Sequence, residues 1–138
     1  MDIPQALTWA ATQTHGVLIT LRKDGRAQSS DVVFTVIDHQ ICISLTDDRA
    51  KTRNMRRDPR VVFHITSPGS WSYASIDATA DLMPVTTDPG DATADALVAV
   101  YRDVAGEHDD WDEFRAAMID EGRLVARLTP NSVTGQVH

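Results

Sequence analysis

Asp24-Gly25 stands between two runs rich in β-branched and aliphatic residues, Val17 to Leu21 and Ser30 to Ile37. Glycine supplies the positive φ that a tight hairpin needs, so this dipeptide sets two strands antiparallel. Asp38-His39 makes a second tight connection, into a third strand from Gln40 to Leu45, and the three read as a meander. Val61 to Ile65 reads as a fourth strand, Pro68-Gly69-Ser70 as a turn, and Trp71 to Leu82 as a long fifth strand. In that strand Trp71, Tyr73, Ser75, Asp77 and Thr79 alternate with Ser72, Ala74, Ile76, Ala78 and Ala80. Neither face is wholly apolar, so one edge is expected to meet a partner or a site. Leu124 to Leu128 and Ser132 to Val137 supply the last strands.

Helical signals separate these runs. Pro4 opens a first helix reaching Thr14, with Leu7, Ala10 and Ala11 on one face. Asp91 to Ala105 carries Leu97, Tyr101 and Val104 at helical spacing, and the next helix carries Trp111, Phe114 and Met118. Asp109 or Asp110 caps the start of that helix, and Gly122 ends it. With no repeat, linker or low-complexity segment, residues 1–138 read as a single α+β domain whose antiparallel strands curl into a barrel.

The segment Asp47 to Arg60 (DDRAKTRNMRRDPR) holds six of the 13 Lys and Arg residues in a chain of net charge −7. Asp47 or Asp48 can cap a short helix here, which must end before Pro59. Arg49 and Lys51 then sit in the first turn, where the helix dipole disfavours cations. Two readings stand side by side: a solvated basic face, or an anion site in which a phosphate joins the amides and the side chains.

The acidic balance argues against nucleic acid or an anionic membrane as the main partner. No apolar run approaches the roughly 20 residues of a membrane span. The N-terminal stretch has no basic start or long apolar run, so it does not read as a signal peptide. A single cysteine, Cys42, suits a reducing, cytoplasmic setting and a buried structural thiol. The five histidines show no metal-ligand spacing with each other or with Cys42, so no metal is expected. No nucleophile elbow, P-loop or dinucleotide fingerprint occurs. Trp71, opening a strand directly after a turn, is placed to lie half exposed against a ligand.

The run Arg49 to Arg60 (RAKTRNMRRDPR) resembles the phosphate-binding segment of the split-barrel flavin/deazaflavin oxidoreductases, the superfamily of pyridoxamine 5′-phosphate oxidase. Gly69 to Ala74 (GSWSYA) and Leu97 to Met118 (LVAVYRDVAGEHDDWDEFRAAM) resemble one branch of it, the small proteins linked to coenzyme F420, a deazaflavin. The likeness runs in order from about Gly16 to Gly135.

This resemblance implies a six-stranded split β-barrel that forms a homodimer, with cofactor sites at the subunit interface. Arg49 and Lys51 match the phosphate-binding pair, with Thr52 and Asn54 as neighbours. The ring system would lie along Gln28, Ser30 and Val32 of the second strand and Ser44 and Thr46 of the third. Trp71 and Tyr73 match the strand that the partner subunit brings to the site. Pyridoxamine phosphate oxidases recognise their substrate through a C-terminal Trp and Arg. The terminal run NSVTGQVH has neither, which speaks against that activity.

The implied activity is hydride transfer from reduced coenzyme F420 to a small conjugated substrate. An FMN-dependent oxidase or reductase on the same barrel is one alternative; a protein that binds a cofactor without turnover is another. FMN needs only one phosphate clamp. Arg53, Arg56 and Arg57 are surplus to such a clamp and either follow the polyanionic tail of F420 or pair with the chain's own carboxylates. A cofactor that carries the difficult chemistry is consistent with the absence of an acid–base dyad.

Overall fold

The computed structural model describes residues 1–138, and its one sheet has seven strands. The elements are α1 (Ile3–Ala10), β1 (His15–Leu21), β2 (Ala27–Val33), β3 (Thr35–Ile37), β4 (Gln40–Thr46), α2 (Ala50–Arg57), β5 (Arg60–Ser67), β6 (Ser72–Leu82), α3 (Ala92–Ala105), α4 (Trp111–Asp120) and β7 (Arg123–Gln136). The strand order is β2-β1-β5-β6-β7-β4-β3, antiparallel throughout.

The hairpin is where the sequence places it. Leu21 pairs with Ala27, and Gly25 takes φ 88° in the turn. Phe34 then divides the expected second strand in two. Its ring is fully buried and meets Phe63 edge-on at 4.9 Å, while its N–H donates to the Thr14 carbonyl at 3.0 Å. This pins the chain at a bend. β2 continues along one edge of the sheet and β3 along the other. The expected meander is therefore corrected: β4 hydrogen-bonds to β3 and β7, not to β2. Because the two edge strands are joined through one residue, the sheet must curl on itself, and the barrel closes over a core that includes Leu18, Phe34, Ile43, Phe63, Ile76 and Leu124.

The runs read from the sequence number seven; the division at Phe34 adds one and the fusion of the last two removes one, so the sheet has seven strands, one more than the six-stranded barrel that the resemblance implies. β7 runs unbroken through Pro130 because a bulge opposite Asp77 and Ala78 inserts Asn131. Both edges of β6 are filled, by β5 and β7, which corrects the expectation of an edge left for a partner or a site. Its mixed pattern arises instead because Ala74, Ile76 and Ala78 face the core while Tyr73, Ser75 and Asp77 do not.

The helices follow their caps. α1 begins in a capping box between Asp2 and Gln5 and ends at Ala10, short of the expected Thr14, because Thr12 bonds back to the Trp9 carbonyl. α3 and α4 carry the expected stripes and pack on β4 and β7, enclosing a second core of Cys42, Leu97, Val98, Val100, Phe114 and Val125. Trp111, Tyr101 and Met118 lie half-buried around it. Burial pushes the Cys42 thiol up, against the opposing pull of Arg127. No helix is long and apolar enough to cross a membrane.

Asp91 caps α3. Burial works against its charge, but the N–H groups of Thr87, Ala94 and Asp88 and the Thr86 hydroxyl outweigh that cost and hold its pKa down to about 2. Because the folded-state value is depressed, this stabilisation is present above the ordinary value of 3.8 and is lost as pH falls toward 2. Asp91→Ala is therefore expected to cost about 1 kcal/mol in denaturant unfolding at neutral pH, the usual worth of an N-cap. The deficit relative to the parent protein should shrink as the pH is lowered through this range.

Candidate functional site

The basic segment forms α2, but neither Asp47 nor Asp48 caps it. Arg49 occupies the capping position in extended backbone, and no side chain accepts from the first-turn amides. Asp47 is engaged elsewhere: its N–H donates to the Gly122 carbonyl at 2.9 Å and its carboxylate pairs with Arg56 at 2.5 Å. The positive end of the helix is thus left without an acid, with Arg49 and Lys51 added to it.

Two residues of the segment anchor it. Thr52 is fully buried and donates its hydroxyl to the Thr46 carbonyl at 2.8 Å. The Asn54 amide donates to Thr20 Oγ1 at 3.1 Å and Gln28 Oε1 at 3.0 Å, and its oxygen accepts from Arg57 at 2.9 Å. These bonds lock α2 against β1 and β2. Thr52, Asn54 and Gln28 thereby position the segment, whatever else they contact. Arg57 also donates to the Leu21 carbonyl at 3.0 Å, and Arg53 to the Asp48 carbonyl at 2.7 Å. Arg53, Arg56 and Arg57 all have partners within the chain, and only Arg56 pairs with a carboxylate.

Lys51 points the other way, into a cleft of about 330 Å³ between β2, β4, α3 and the start of β7. Val32, Ser44 and Lys51 line this cleft together, so three of the residues expected at the site converge there from separate elements. Ser44 and Thr46 share the outer face of β4, opposite Val125 and Arg123 of β7. Ser30 lies half-buried on β2 opposite Leu18. Asp31 lies on the rim and is exposed.

Six cleft residues escaped the sequence reading, and among them Arg123 and Tyr101 bring a cation and a phenol. The sequence places Tyr101 only in the packing stripe of α3. Arg123 is an isolated cation just after the Gly122 helix stop, and nothing local marks it. Only the pairing of β7 with β4 brings it to Ser44, with Nη1 3.3 Å from Oγ. Desolvation, then Arg49, then Arg123 lower the Lys51 pKa, so three cations act on one small volume. The Arg123 Nε–H is buried with no acceptor. Two half-buried cations, Lys51 and Arg123, with the exposed Arg49 beside them and one unfilled donor, fit an anionic ligand group.

Trp71 and Tyr73 are not part of this cleft. Trp71 is 83% exposed and takes φ 60° in the turn before β6. Tyr73 stacks on His64 at 5.8 Å and pairs with Gln136 at the far end of β7 from Arg123. That separation is about 40 Å along the strand, at roughly 3.3 Å per residue. A larger cavity of about 750 Å³ lies between α1 and the end of β7, beside Trp9 and Val137, and carries no Lys or Arg.

Asn54→Ala is expected to cost about 1–3 kcal/mol in chemical denaturation, because it strands buried partners on β1 and β2. Limited proteolysis should then reach α2 first.

No protein-family model matches the chain. Solved structures do. An F420 reductase superposes with a TM-score of 0.66 at 22% identity, over 88% of this chain and 89% of that one. A haem-binding protein from Mycobacterium smegmatis gives 0.73 at 21% identity, over 97% of this chain but 53% of its own, so the present chain spans about half its length. An FAD-binding protein from Mesorhizobium loti gives 0.69 at 17% identity, over 98% and 92%. The chain therefore shares its curled, split-barrel fold with these F420, haem-binding and FAD-binding proteins.

Proposed function

We propose that this chain is a coenzyme F420-dependent oxidoreductase that passes a hydride from the reduced deazaflavin to a small conjugated acceptor. The observation that carries the reading is the convergence of Lys51, Ser44 and Val32 on one cleft at the uncapped, positive end of α2. A phosphate there offsets the desolvation of Lys51 and the repulsion from Arg49, and accepts from the free first-turn amides. The choice of deazaflavin over flavin rests on the sequence blocks around Trp71 and along α3 and α4. FMN on the same clamp is the second reading, and cofactor storage without turnover is the third.

When bound, the deazaflavin supplies the hydride donor. The work of this chain is to hold and orient it. Arg49 and Lys51 fix the phosphate end. Val32 offers an apolar wall, and Ser44 and Thr46 offer hydroxyls on the outer face of β4 to the polar edge of a ring. α3 lines the cleft through Val100, Tyr101 and Val104, which would help exclude water from a bound ring. Ser30 and Gln28 continue the β2 wall. A second copy of the chain brings Trp71 and Tyr73, since both lie too far from the cleft of their own chain. The proton that accompanies the hydride comes from solvent or from a hydroxyl such as that of Tyr73. Of the surface arginines, Arg56 meets the anionic tail only if it gives up its exposed pairing with Asp47.

Titrating the purified protein with F420 and with FMN, and following each chromophore's absorbance, tests the choice of cofactor. Tight FMN binding with none for F420 would overturn the deazaflavin reading. Reduced cofactor that binds but is never reoxidised by enones, quinones or tetrapyrroles would favour storage. Lys51→Ala is expected to weaken binding by about 1.5–3 kcal/mol, the scale of a charge-assisted hydrogen bond. Cofactor affinity should also collapse on dilution below the dimer dissociation constant, measurable by fluorescence titration alongside sedimentation; affinity independent of protein concentration would remove Trp71 and Tyr73 from the site.

A further inference from the structure

Arg123 opens β7 immediately after α4, and its guanidinium is only partly satisfied. Nη1 lies 3.3 Å from Ser44 Oγ and Nη2 lies 3.2 Å from Glu121 Oε1. Nε is buried with no acceptor. Nε and Nη2 form one edge of the guanidinium, the edge that meets a carboxylate or phosphate through two parallel hydrogen bonds. Glu121 fills half of that edge at a long distance, and its own side chain is 46% exposed. The contact is therefore a weak, screened ion pair that a better-placed anion can replace. The one acid that lines the cleft itself, Asp31, is exposed.

We propose that Arg123 is an anion-binding residue of the cleft, completing with Lys51 and Ser44 a subsite for a phosphoryl group, and that Glu121 is the internal carboxylate which the ligand displaces. The proposal rests on the reading of this cleft as the cofactor site, and it adds a residue that no part of the basic segment supplies. Its logic is competition. In the free protein Glu121 holds one nitrogen and leaves Nε unfilled. A phosphoryl group in the cleft offers two oxygens, so a small turn of the guanidinium toward it satisfies both donors and neutralises the paired cations. Glu121 then returns to water. Its role as C-cap of α4 depends on its backbone N–H, which donates to the Ala117 carbonyl at 2.9 Å, so the side chain is free to leave.

The test titrates F420, FMN and inorganic phosphate into the full chain and into Arg123→Gln, Arg123→Lys, Glu121→Gln and Lys51→Ala, with melting curves to confirm folding. Arg123→Gln is expected to weaken the cofactor by about tenfold to a hundredfold, and Arg123→Lys to restore part of that. Glu121→Gln should move the other way and tighten both the cofactor and inorganic phosphate several-fold, a gain that a purely structural arginine would not give. Folded Arg123→Gln with parental affinity, while Lys51→Ala loses binding, would overturn the subsite and leave the cofactor reading intact. Parental affinity in both variants would overturn both. If Arg123→Gln fails to fold, Glu121→Gln decides alone: tighter binding supports the subsite, and unchanged or weaker binding overturns it.

Discussion

One residue between two strands constrains the whole molecule. β2 and β3 are opposite edges of the sheet, yet Phe34 is all that separates them in the chain. A flat sheet of this order would need to bridge its full width with a single residue, which no backbone can do. Curling is thus required, and the buried Phe34 ring against Phe63 holds the curl in place. The cleft follows from it. Only in the closed sheet does the outer edge of β2 come round to face β4, so that Val32 and Ser44 line one space.

Charge placement then gives that space its character. The acids before α2 do not cap it: the Asp47 carboxylate is used by Arg56, and Asp48 meets the segment only through its backbone carbonyl, which accepts from Arg53. The helix is held instead by neutral groups, the Thr52 hydroxyl and the Asn54 amide. Neutral anchoring leaves the positive end of α2 uncompensated while fixing its position to within a hydrogen bond. A chain of net charge −7 thus keeps a local cationic pocket beneath α3.

Much of this was legible in the sequence, and the exceptions have physical reasons. Asp24-Gly25 announces its hairpin because glycine relieves a steric penalty visible in a single residue. The stripes of α3 and α4 are visible because helical periodicity repeats. The basic segment stands out against an acidic chain. By contrast, the bend at Phe34 is invisible: a phenylalanine between Val33 and Thr35 reads as one more strand residue, and only the Thr14 carbonyl and Phe63 make it a corner. Pro130 suggests a break that a bulge absorbs. Arg123 is the instructive case. Its place in the cleft depends on β7 pairing with β4, a contact across more than 70 positions of chain that no local pattern encodes.

That same pairing bears on how the molecule comes into being. β7 is hydrogen-bonded to β6 along one side and to β4 along the other, and it is the last strand in the chain. As the polypeptide leaves the ribosome, β1, β2, β5 and β6 can assemble, but β4 has no neighbour except the three-residue β3 until β7 arrives. Through that interval β4 and β6 each present an unpaired edge, and Ile41, Ile43 and Leu45 lack half of their surroundings. Closure is consequently a late, long-range event of the kind that slows folding and exposes nascent chains to mispairing. The strand that completes the barrel is also the strand that delivers Arg123, so a chain that has not finished folding has no complete cleft with which to hold a ligand.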